Sequence, residues 1–280
     1  MSEPRETGPR VEFANPQVNL YVGNIGESLR FYRDVLGSAE AFRVPREGTP
    51  EHVELRLGSL RLGLATFEAA RGQHGIQTGP GPARTELDLR TDDVDGAYRW
   101  AVSQRAPSVK APYDFLEYIH AAGVADPDGN YVVFYTRLPV KPTARPDARP
   151  IFQNHLFNIY TRSIERSLQF YQGMVGFTES FRVPEQGPPD HVEMELGSLN
   201  LGVSTLEALK RDHGLSGGGG PPRAEVVLWV TDVDAAHSWM RTRGVPSLSP
   251  PHDFGGALRG AWVGDPDGNP VQIVMNRARA

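Results

Sequence analysis

The chain contains the same domain-length sequence twice. Between about residue 15 and residue 136, most positions match the position 139 residues further on, with no gap, as His52 matches His191. A repeat of this length indicates a duplicated domain rather than a short solenoid unit. The duplication therefore predicts two related domains whose clefts are related by a pseudo-twofold axis.

Composition limits the class of protein. A chain of 280 residues with 39% hydrophobic content fits two globular domains, and its net charge of −5 argues against a nucleic-acid footprint or a basic membrane patch. No run of 18 apolar residues predicts a transmembrane helix, and the N-terminus lacks the apolar core of a signal peptide. The absence of cysteine excludes disulfides, thiolate nucleophiles and cysteine-bound zinc. We expect a cytoplasmic protein.

The domain boundaries follow from the repeat and from proline content. Residues 1–14 are expected to form a tail, residues 15–137 the first domain and residues 151–276 the second. Residues 138–150 hold four prolines and few apolar side chains, which is typical of a semi-rigid linker.

Each copy is predicted to contain two units of one strand, one helix and three strands, giving an α+β fold of curved sheets around a cleft. Residues 18–22 alternate between apolar and polar, as a half-buried strand does, and Asn24 is a suitable N-cap for the helix that follows. Gly58-Ser59 predicts a two-residue hairpin in which Leu57 pairs with Leu60.

Strand alternation then predicts which side chains share the polar face. Such faces are often simply solvated, but aromatic residues interleaved with His and Glu favour a ligand cleft. The predicted cleft residues are Gln17, Asn19, Tyr21, His52, Glu54, Glu86 and Tyr131 in the first copy, with Asn158, Tyr160, His191, Glu193, Glu225, Trp229 and Gln272 in the second. Among them, Glu54, Glu193, His52 and His191 are the candidates for a general base.

Two other duplicated features are interpreted as structural. His74 and His213 each precede a glycine, which is more typical of a helix end than of a catalyst. Phe115 and Phe254 lie in a loop before the last hairpin, where a packing or turn role is expected.

The motif order resembles the vicinal oxygen chelate superfamily, which includes glyoxalase I, bleomycin-resistance proteins and extradiol dioxygenases. The resemblance is carried by Ser-Leu-Arg-Phe-Tyr at 28–32, Asp-Asp-Val-Asp at 92–95 and Asp-Pro-Asp-Gly-Asn at 126–130, and each recurs in the second copy. It covers nearly the whole chain apart from the tail and the linker. Because this superfamily hosts unrelated chemistries, the resemblance implies the fold but not one activity.

The resemblance implies four metal-ligand positions in each copy. These positions hold Gln17, Gly63, Glu86 and Val133 in the first copy, and Leu156, Gly202, Glu225 and Gln272 in the second. None is a histidine, and His155 lies one residue away, on the opposite face of its strand. No cofactor is therefore expected; the alternative is a divalent ion (Mn, Mg, Ni or Zn) on Gln17, Glu86, Glu225 and Gln272.

The sequence thus predicts a metal-free binding protein for an organic small molecule or toxic compound, in which the fused copies let a monomer suffice, with a homodimer as the alternative. The alternative function is a glyoxalase- or epimerase-like lyase or isomerase that uses an oxygen-rich metal site or a Glu base. A dioxygenase is less consistent with the sequence, because no triad of two histidines and a carboxylate is present. No nucleic-acid or membrane partner is expected.

Overall fold

A computed structural model of the chain describes residues 11–139 and 149–279. Residues 1–10 of the expected tail and residues 140–148 of the expected linker lie outside this part. The elements of the first copy are β1 (Ala14–Val22), α1 (Ile25–Leu29, continued by a π-helix over Arg30–Val35), β2 (Ala39–Val44), β3 (His52–Leu57), β4 (Leu60–Thr66), α2 (Phe67–His74), β5 (Thr85–Arg90), α3 (Val94–Ser103), β6 (Ser108–Phe115), β7 (Ile119–Ala125) and β8 (Tyr131–Arg137).

The second copy repeats the same order. Its elements are β9 (Asn154–Thr161), α4 (Ile164–Leu168, continued by a π-helix over Gln169–Val175), β10 (Thr178–Val183), β11 (His191–Leu196), β12 (Leu199–Thr205), α5 (Leu206–Ala208, continued by a π-helix over Leu209–His213), β13 (Ala224–Trp229), α6 (Val233–Thr242), β14 (Ser247–Phe254), β15 (Leu258–Gly264) and β16 (Pro270–Asn276). The predicted α+β fold, with four units of strand, helix and three strands, is confirmed.

Each sheet is assembled from both copies. The first sheet has the strand order β14-β15-β16-β13-β1-β4-β3-β2, and the second has the order β10-β11-β12-β9-β5-β8-β7-β6. The exchange takes place at the centre of each sheet, where β1 pairs antiparallel with β13 and β9 pairs antiparallel with β5. As a result, each cleft is lined by the first half of one copy and the second half of the other.

The register of the first hairpin matches the sequence prediction. Leu57 pairs with Leu60, Glu54 with Gly63 and His52 with Ala65. Because side chains alternate along a strand, His52 and Glu54 share one face and the leucines share the other. The apolar face packs under the helices, where one buried cluster includes Val18, Leu20 and Tyr32.

The Asp-Pro-Asp-Gly-Asn motif folds into a buried loop that anchors the first helix. Asp126 is 1% exposed, and its carboxylate accepts hydrogen bonds from the backbone N–H groups of Asp128 (3.0 Å) and Asn130 (2.8 Å) and from the Tyr32 hydroxyl (2.8 Å). Together with the Asn130 side-chain amide, which donates at 2.8 Å, these donors satisfy a carboxylate that would otherwise be costly to bury. Asp265 and Tyr171 repeat the contact in the second copy, at 3.0 Å.

Two arginines join the copies across the pseudo-twofold axis. Arg84 of the first copy donates to the Asn269 side chain (3.1 Å) and to the backbone carbonyls of Gly220 (3.0 Å) and Asp267 (2.7 Å). Arg223 donates reciprocally to the carbonyl of Gly129 at 3.2 Å. The two copies therefore hold each other's loops in place. Among the described residues, no helix combines the length and apolar character that crossing a bilayer would require.

Candidate functional site

The polar faces of the two sheets form two clefts, named here the first and the second cleft after their sheets. The first cleft carries the predicted residues Gln17, Asn19, Tyr21, His52, Glu54, Glu225, Trp229 and Gln272. The second carries the predicted residues Glu86, Tyr131, Asn158, Tyr160, His191 and Glu193. Sequence reasoning identified these faces, and the structure shows which side chains come together.

A buried glutamate organises the first cleft. Glu225 is 4% exposed and accepts hydrogen bonds from the Asn19 amide (2.7 Å), the Tyr21 hydroxyl and the Trp262 indole N–H (2.6 Å). Burial raises the pKa of Glu225, and these three donors partly oppose that rise. Gln17 continues the network by donating to the Asn19 side-chain oxygen at 2.9 Å.

Aromatic rings fill the space next to that glutamate. Trp262 is 1% exposed, and its ring stacks on His74 with centroids 4.2 Å apart and on His252 with centroids 5.3 Å apart. His74 Nδ1 lies 3.1 Å from His252 Nε2. Burial lowers the pKa of His74 to about 4, so this ring is neutral at physiological pH. The part of the first cleft next to Glu225 is therefore filled by the chain's own side chains.

The second cleft contains a cavity of about 270 Å³. Its polar lining includes Glu86, Asp88, Asn158, Tyr160, His191, Glu193, Ser204 and His213, and its apolar lining includes Phe115, Ile119, Val133, Leu156, Phe181, Ala208 and Leu209. A concave, partly apolar site with a few convergent polar groups is the usual form of a small-molecule site. Tyr131 lies on the same sheet, where its hydroxyl donates to the carbonyl of Ser216 at 2.8 Å.

Two carboxylates lie side by side on the floor of this cavity. The Asn158 amide nitrogen donates to Glu86 at 3.0 Å and to Asp88 at 2.6 Å, and the Tyr160 hydroxyl donates to Glu86 at 2.7 Å. Asn158, Tyr160 and Glu86 are the counterparts of Asn19, Tyr21 and Glu225. The shared network shows that both clefts are built on the same polar frame.

Asp88 departs from that frame, because its counterpart in the second copy is Val227. Its Oδ2 accepts from Asn158, whereas its Oδ1 is shielded from solvent and has no hydrogen-bond partner among the described residues. Burial, followed by the charges of Glu86 and Glu193, raises the pKa of Asp88 well above its ordinary value. A shielded acceptor without a donor is uncommon in proteins and points to a ligand or a proton at this position.

A histidine and a glutamate form the opposite wall of the second cleft. His191 Nδ1 lies 2.7 Å from the Ser204 hydroxyl, and its Nε2 lies 3.4 Å from Glu193. In the first cleft, His52 and Glu54 are 3.8 Å apart, and the neighbouring imidazole of His52 lowers the pKa of Glu54. The candidate bases therefore form a His–Glu pair in each cleft, but only His191 and Glu193 border the cavity.

Contacts between separate elements bound the cavity of the second cleft on two sides. On one side the Arg137 guanidinium lies 5.4 Å from the centre of the Phe181 ring, which links β8 to β10. On the other side the Tyr113 hydroxyl hydrogen-bonds to His213 Nδ1, which links β6 to the end of α5. These contacts bound the cavity between them.

The donor set at the family positions does not fit a divalent metal ion in the second cleft. At the four family positions the second cleft offers Leu156, Gly202 and Val133, which have no ligating side-chain atom, beside Glu86. Glu86 also lies in a different cleft from Gln17, Glu225 and Gln272, so these four residues cannot share one ion. Within residues 11–139 and 149–279, no group of three His, Asp or Glu side chains is placed to hold a metal.

His155 cannot complete such a site. It pairs with Leu89 on the helix-covered face of the second sheet, and no bulge interrupts the register between β5 and β9. Burial lowers the pKa of His155 to about 4. The expectation that its side chain points away from the cleft is confirmed.

Several cavity residues were missed from the sequence. Strand alternation places Asp88 on the face of Glu86, but it does not show that Asp88 borders the cavity. His213 is a helix end, as expected, yet its side chain also borders the cavity. The expected loop position of Phe115 is wrong, because Phe115 ends strand β6 and borders the cavity from there. Trp262 gave no signal, because its counterpart is Gly123 and the repeat comparison favours positions that match.

Two solved structures illustrate the proteins whose folds are similar to that of this chain. Glyoxalase I from Zea mays is 18% identical with a TM-score of 0.60, covering 94% of this chain and 93% of that chain. A putative dioxygenase from Bacillus subtilis is 12% identical with a TM-score of 0.56, covering 96% of this chain and 86% of that chain. At these identities the likeness shows the fold alone. The comparison with curated proteins gives no match.

The sequence also matches a family model over both repeats. The model is that of the Glyoxalase/Bleomycin resistance protein/Dioxygenase superfamily, and it matches residues 15–134 and 153–273. These two segments include the first strand and the Asp-Pro-Asp-Gly-Asn loop of each copy. The chain therefore belongs to the Glyoxalase/Bleomycin resistance protein/Dioxygenase superfamily, as the motifs of its sequence predicted.

Proposed function

We propose that this protein binds an organic small molecule in the second cleft without a metal ion. The observation that carries the proposal is the carboxylate of Asp88, a residue that lines a cavity of about 270 Å³ and whose shielded Oδ1 lacks a donor among the described residues. A ligand that supplies an N–H or O–H group there would remove the cost of the unpaired acceptor. The two repeated domains, residues 15–137 and 151–276, would act as one unit, because each sheet needs strands from both.

The second cleft has a polar and an apolar part to its lining, and each favours a different part of the ligand. Glu86, Asp88 and Glu193 favour a hydrogen-bond donor or a cation at the floor. Phe115, Leu209 and other apolar side chains favour a flat or branched hydrocarbon part above it. A monomer suffices for such a site, since one chain supplies every lining residue.

A second candidate function rests on the raised pKa of Asp88. A carboxyl group with a raised pKa holds its proton more tightly and can donate it to a bound substrate, as general acids do. This favours a lyase or isomerase of the glyoxalase or epimerase type that works through its own acid and base groups. His191 and Glu193 would supply the base on the facing wall.

The binding proposal is tested on protein stripped of metal with EDTA. A set of small aromatic compounds with N–H or ammonium groups is screened by thermal shift, and the compounds that bind are titrated calorimetrically. A ligand that binds only the folded state raises the melting temperature by mass action. We expect binding without metal, weakened about tenfold or more by Asp88→Asn, which corresponds to about 1.4 kcal/mol.

The matched control is Glu54→Gln, which changes the first cleft at the counterpart of Glu193. Glu193→Gln should weaken binding, and Glu54→Gln should leave it unchanged. Equal loss in both variants, or binding that requires added manganese, nickel or zinc, would contradict the proposal.

The two candidate functions separate in deuterated water. Proton abstraction replaces a C–H of the bound compound by C–D, which proton NMR detects as signal loss. Exchange in the wild type that disappears in Asp88→Asn favours the enzyme. Binding without exchange favours the binding protein.

A further inference from the structure

Trp262 occupies the first cleft as a bound ligand would. Its indole N–H donates to Glu225 at 2.6 Å, and its ring is stacked on His74 at 4.2 Å between centroids, with an interplanar angle of 26°. Phe254 closes a third side, with its centroid 5.7 Å from that of the indole. A planar ring with an N–H donor therefore satisfies the frame that both clefts share.

The second cleft repeats this frame without the indole. The counterpart of Trp262 is Gly123, and a Cβ atom there would meet its nearest neighbour only at 3.7 Å. The counterparts of the side chains around the indole are Glu86, His213 and Phe115, and all three border the cavity. The tryptophan side chain of the first cleft thus has no counterpart in the second.

Asp88 adds a second acceptor beside Glu86. The Asn158 amide nitrogen reaches both carboxylates, at 3.0 Å and 2.6 Å, so the two groups lie next to each other. Val227 at the same place in the first cleft offers no acceptor. A ligand of the second cleft can therefore use one donor more than the indole of Trp262 does.

From these observations, and resting on the proposed function, we infer that the second cleft recognises a planar heteroaromatic ring with two neighbouring N–H donors, one directed at Glu86 and one at Asp88. An amino-substituted nitrogen heterocycle has this pattern. The ring stacks against His213 and Phe115, as the indole does against their counterparts. Because Trp262 closes the first cleft, one chain binds one such molecule.

Three probes of nearly equal shape test this inference. 2-Aminobenzimidazole has two or more adjacent N–H donors, indole has one and benzofuran has none. We expect calorimetry on the metal-free protein to give one site per chain, with affinity falling at least tenfold from 2-aminobenzimidazole to indole and again to benzofuran. Asp88→Val, which introduces the residue of the first cleft, should abolish the preference for 2-aminobenzimidazole over indole.

Two reciprocal variants assign the sites. Gly123→Trp should fill the second cleft and remove 2-aminobenzimidazole binding, with circular dichroism confirming its fold. Trp262→Gly should open the first cleft, so that free indole raises its melting temperature more than that of the wild type. Rescue by indole is informative even if the variant is less stable, because benzofuran, which cannot donate to Glu225, should rescue it poorly.

The outcomes distinguish this inference from the proposed function. If other compounds bind in an Asp88-dependent manner while the three probes bind equally or not at all, the ring-and-donor inference is refuted and the binding function stands. If no compound binds in the second cleft and Asp88→Asn changes nothing, both fail. Two sites per wild-type chain would refute the closure of the first cleft by Trp262.

Discussion

Replacing Asp88 by Asn should stabilise the protein at neutral pH, although it removes a charge from a polar network. The Oδ1 atom of Asp88 is shielded and unpaired among the described residues, and Glu86 and Glu193 add repulsion. Asparagine keeps the acceptor that binds Asn158 and offers an amide N–H₂ to the neighbouring carboxylates. The substitution therefore converts a charged group in an unfavourable environment into a neutral donor.

The expected size follows from the cost of a buried polar atom without a partner, about 1–3 kcal/mol. For a chain of this size, 1 kcal/mol corresponds to roughly 2–4 °C in melting temperature. Asp88→Asn should therefore raise the melting temperature by several degrees at pH 7 to 8. This gain accompanies the loss of ligand affinity expected above, since an unpaired acceptor in a binding site is costly until the ligand arrives.

The pH dependence has a definite sign. A carboxyl with a raised pKa in the folded state favours the protonated form there, so folding stability falls as pH rises from the ordinary aspartate value of about 3.9 through the raised pKa. The Asp88→Asn variant should not lose folding stability in this way, because asparagine has no carboxyl group. Its advantage should be near zero at pH 4 and should grow toward neutral pH, as measured by thermal melts across that range.

Glu54→Gln provides a control of opposite sign. The neighbouring imidazole of His52 lowers the pKa of Glu54, so the charged form of Glu54 stabilises the folded state above about pH 4.3, and the stabilisation is lost as pH falls. The glutamine variant should be neutral or slightly less stable at pH 7. If Asp88→Asn also destabilises at pH 7, or gains equally at pH 4, the assignment of Asp88 as an unpaired acid is wrong.

Three further predictions concern other parts of the molecule. Added manganese, nickel or zinc should shift the melting temperature of the wild type by less than about 1 °C, because the described residues include no group of three His, Asp or Glu side chains placed to hold a metal; a saturable shift of several degrees would contradict this. Arg84→Ala should lower the free energy of unfolding in urea by about 2–4 kcal/mol, because it removes three hydrogen bonds between the copies, whereas the exposed Arg30→Ala should have little effect. The wild type should lose up to about 3 kcal/mol of its free energy of unfolding as pH falls from 6.5 to about 4, because His74 becomes protonated in the unfolded chain at a higher pH than in the folded protein. The His74→Phe variant should not show this loss. Parallel curves of stability against pH for the two proteins would refute the low pKa of His74.

The fold was largely predictable from the sequence because the same pattern of strands, helices and turns occurs in both copies. Alternation and the Gly58-Ser59 turn fixed the hairpin register, and the structure confirms the pairs Leu57–Leu60 and Glu54–Gly63. Local patterns such as these depend on residues that are close in sequence. They do not show which strands from distant segments pair, so the assembly of each sheet from both copies had to come from the structure.

The site was only partly predictable for a related reason. Matching positions in the two copies pointed to Glu86 and Glu225, whose hydrogen-bond networks are alike. The difference between the clefts lies at positions that do not match, namely Asp88 opposite Val227 and Gly123 opposite Trp262. A side chain that fills a cleft and a glycine that leaves it open cannot be recognised before the packing is known.

A crystal structure of the wild-type protein soaked with 2-aminobenzimidazole in the presence of EDTA tests the central claim most directly. The account predicts one molecule per chain in the second cleft, with its N–H groups within about 3 Å of Glu86 and Asp88, and an undisturbed Trp262 in the first cleft. Electron density for the compound in the first cleft, or a metal ion beside Glu86, would contradict it.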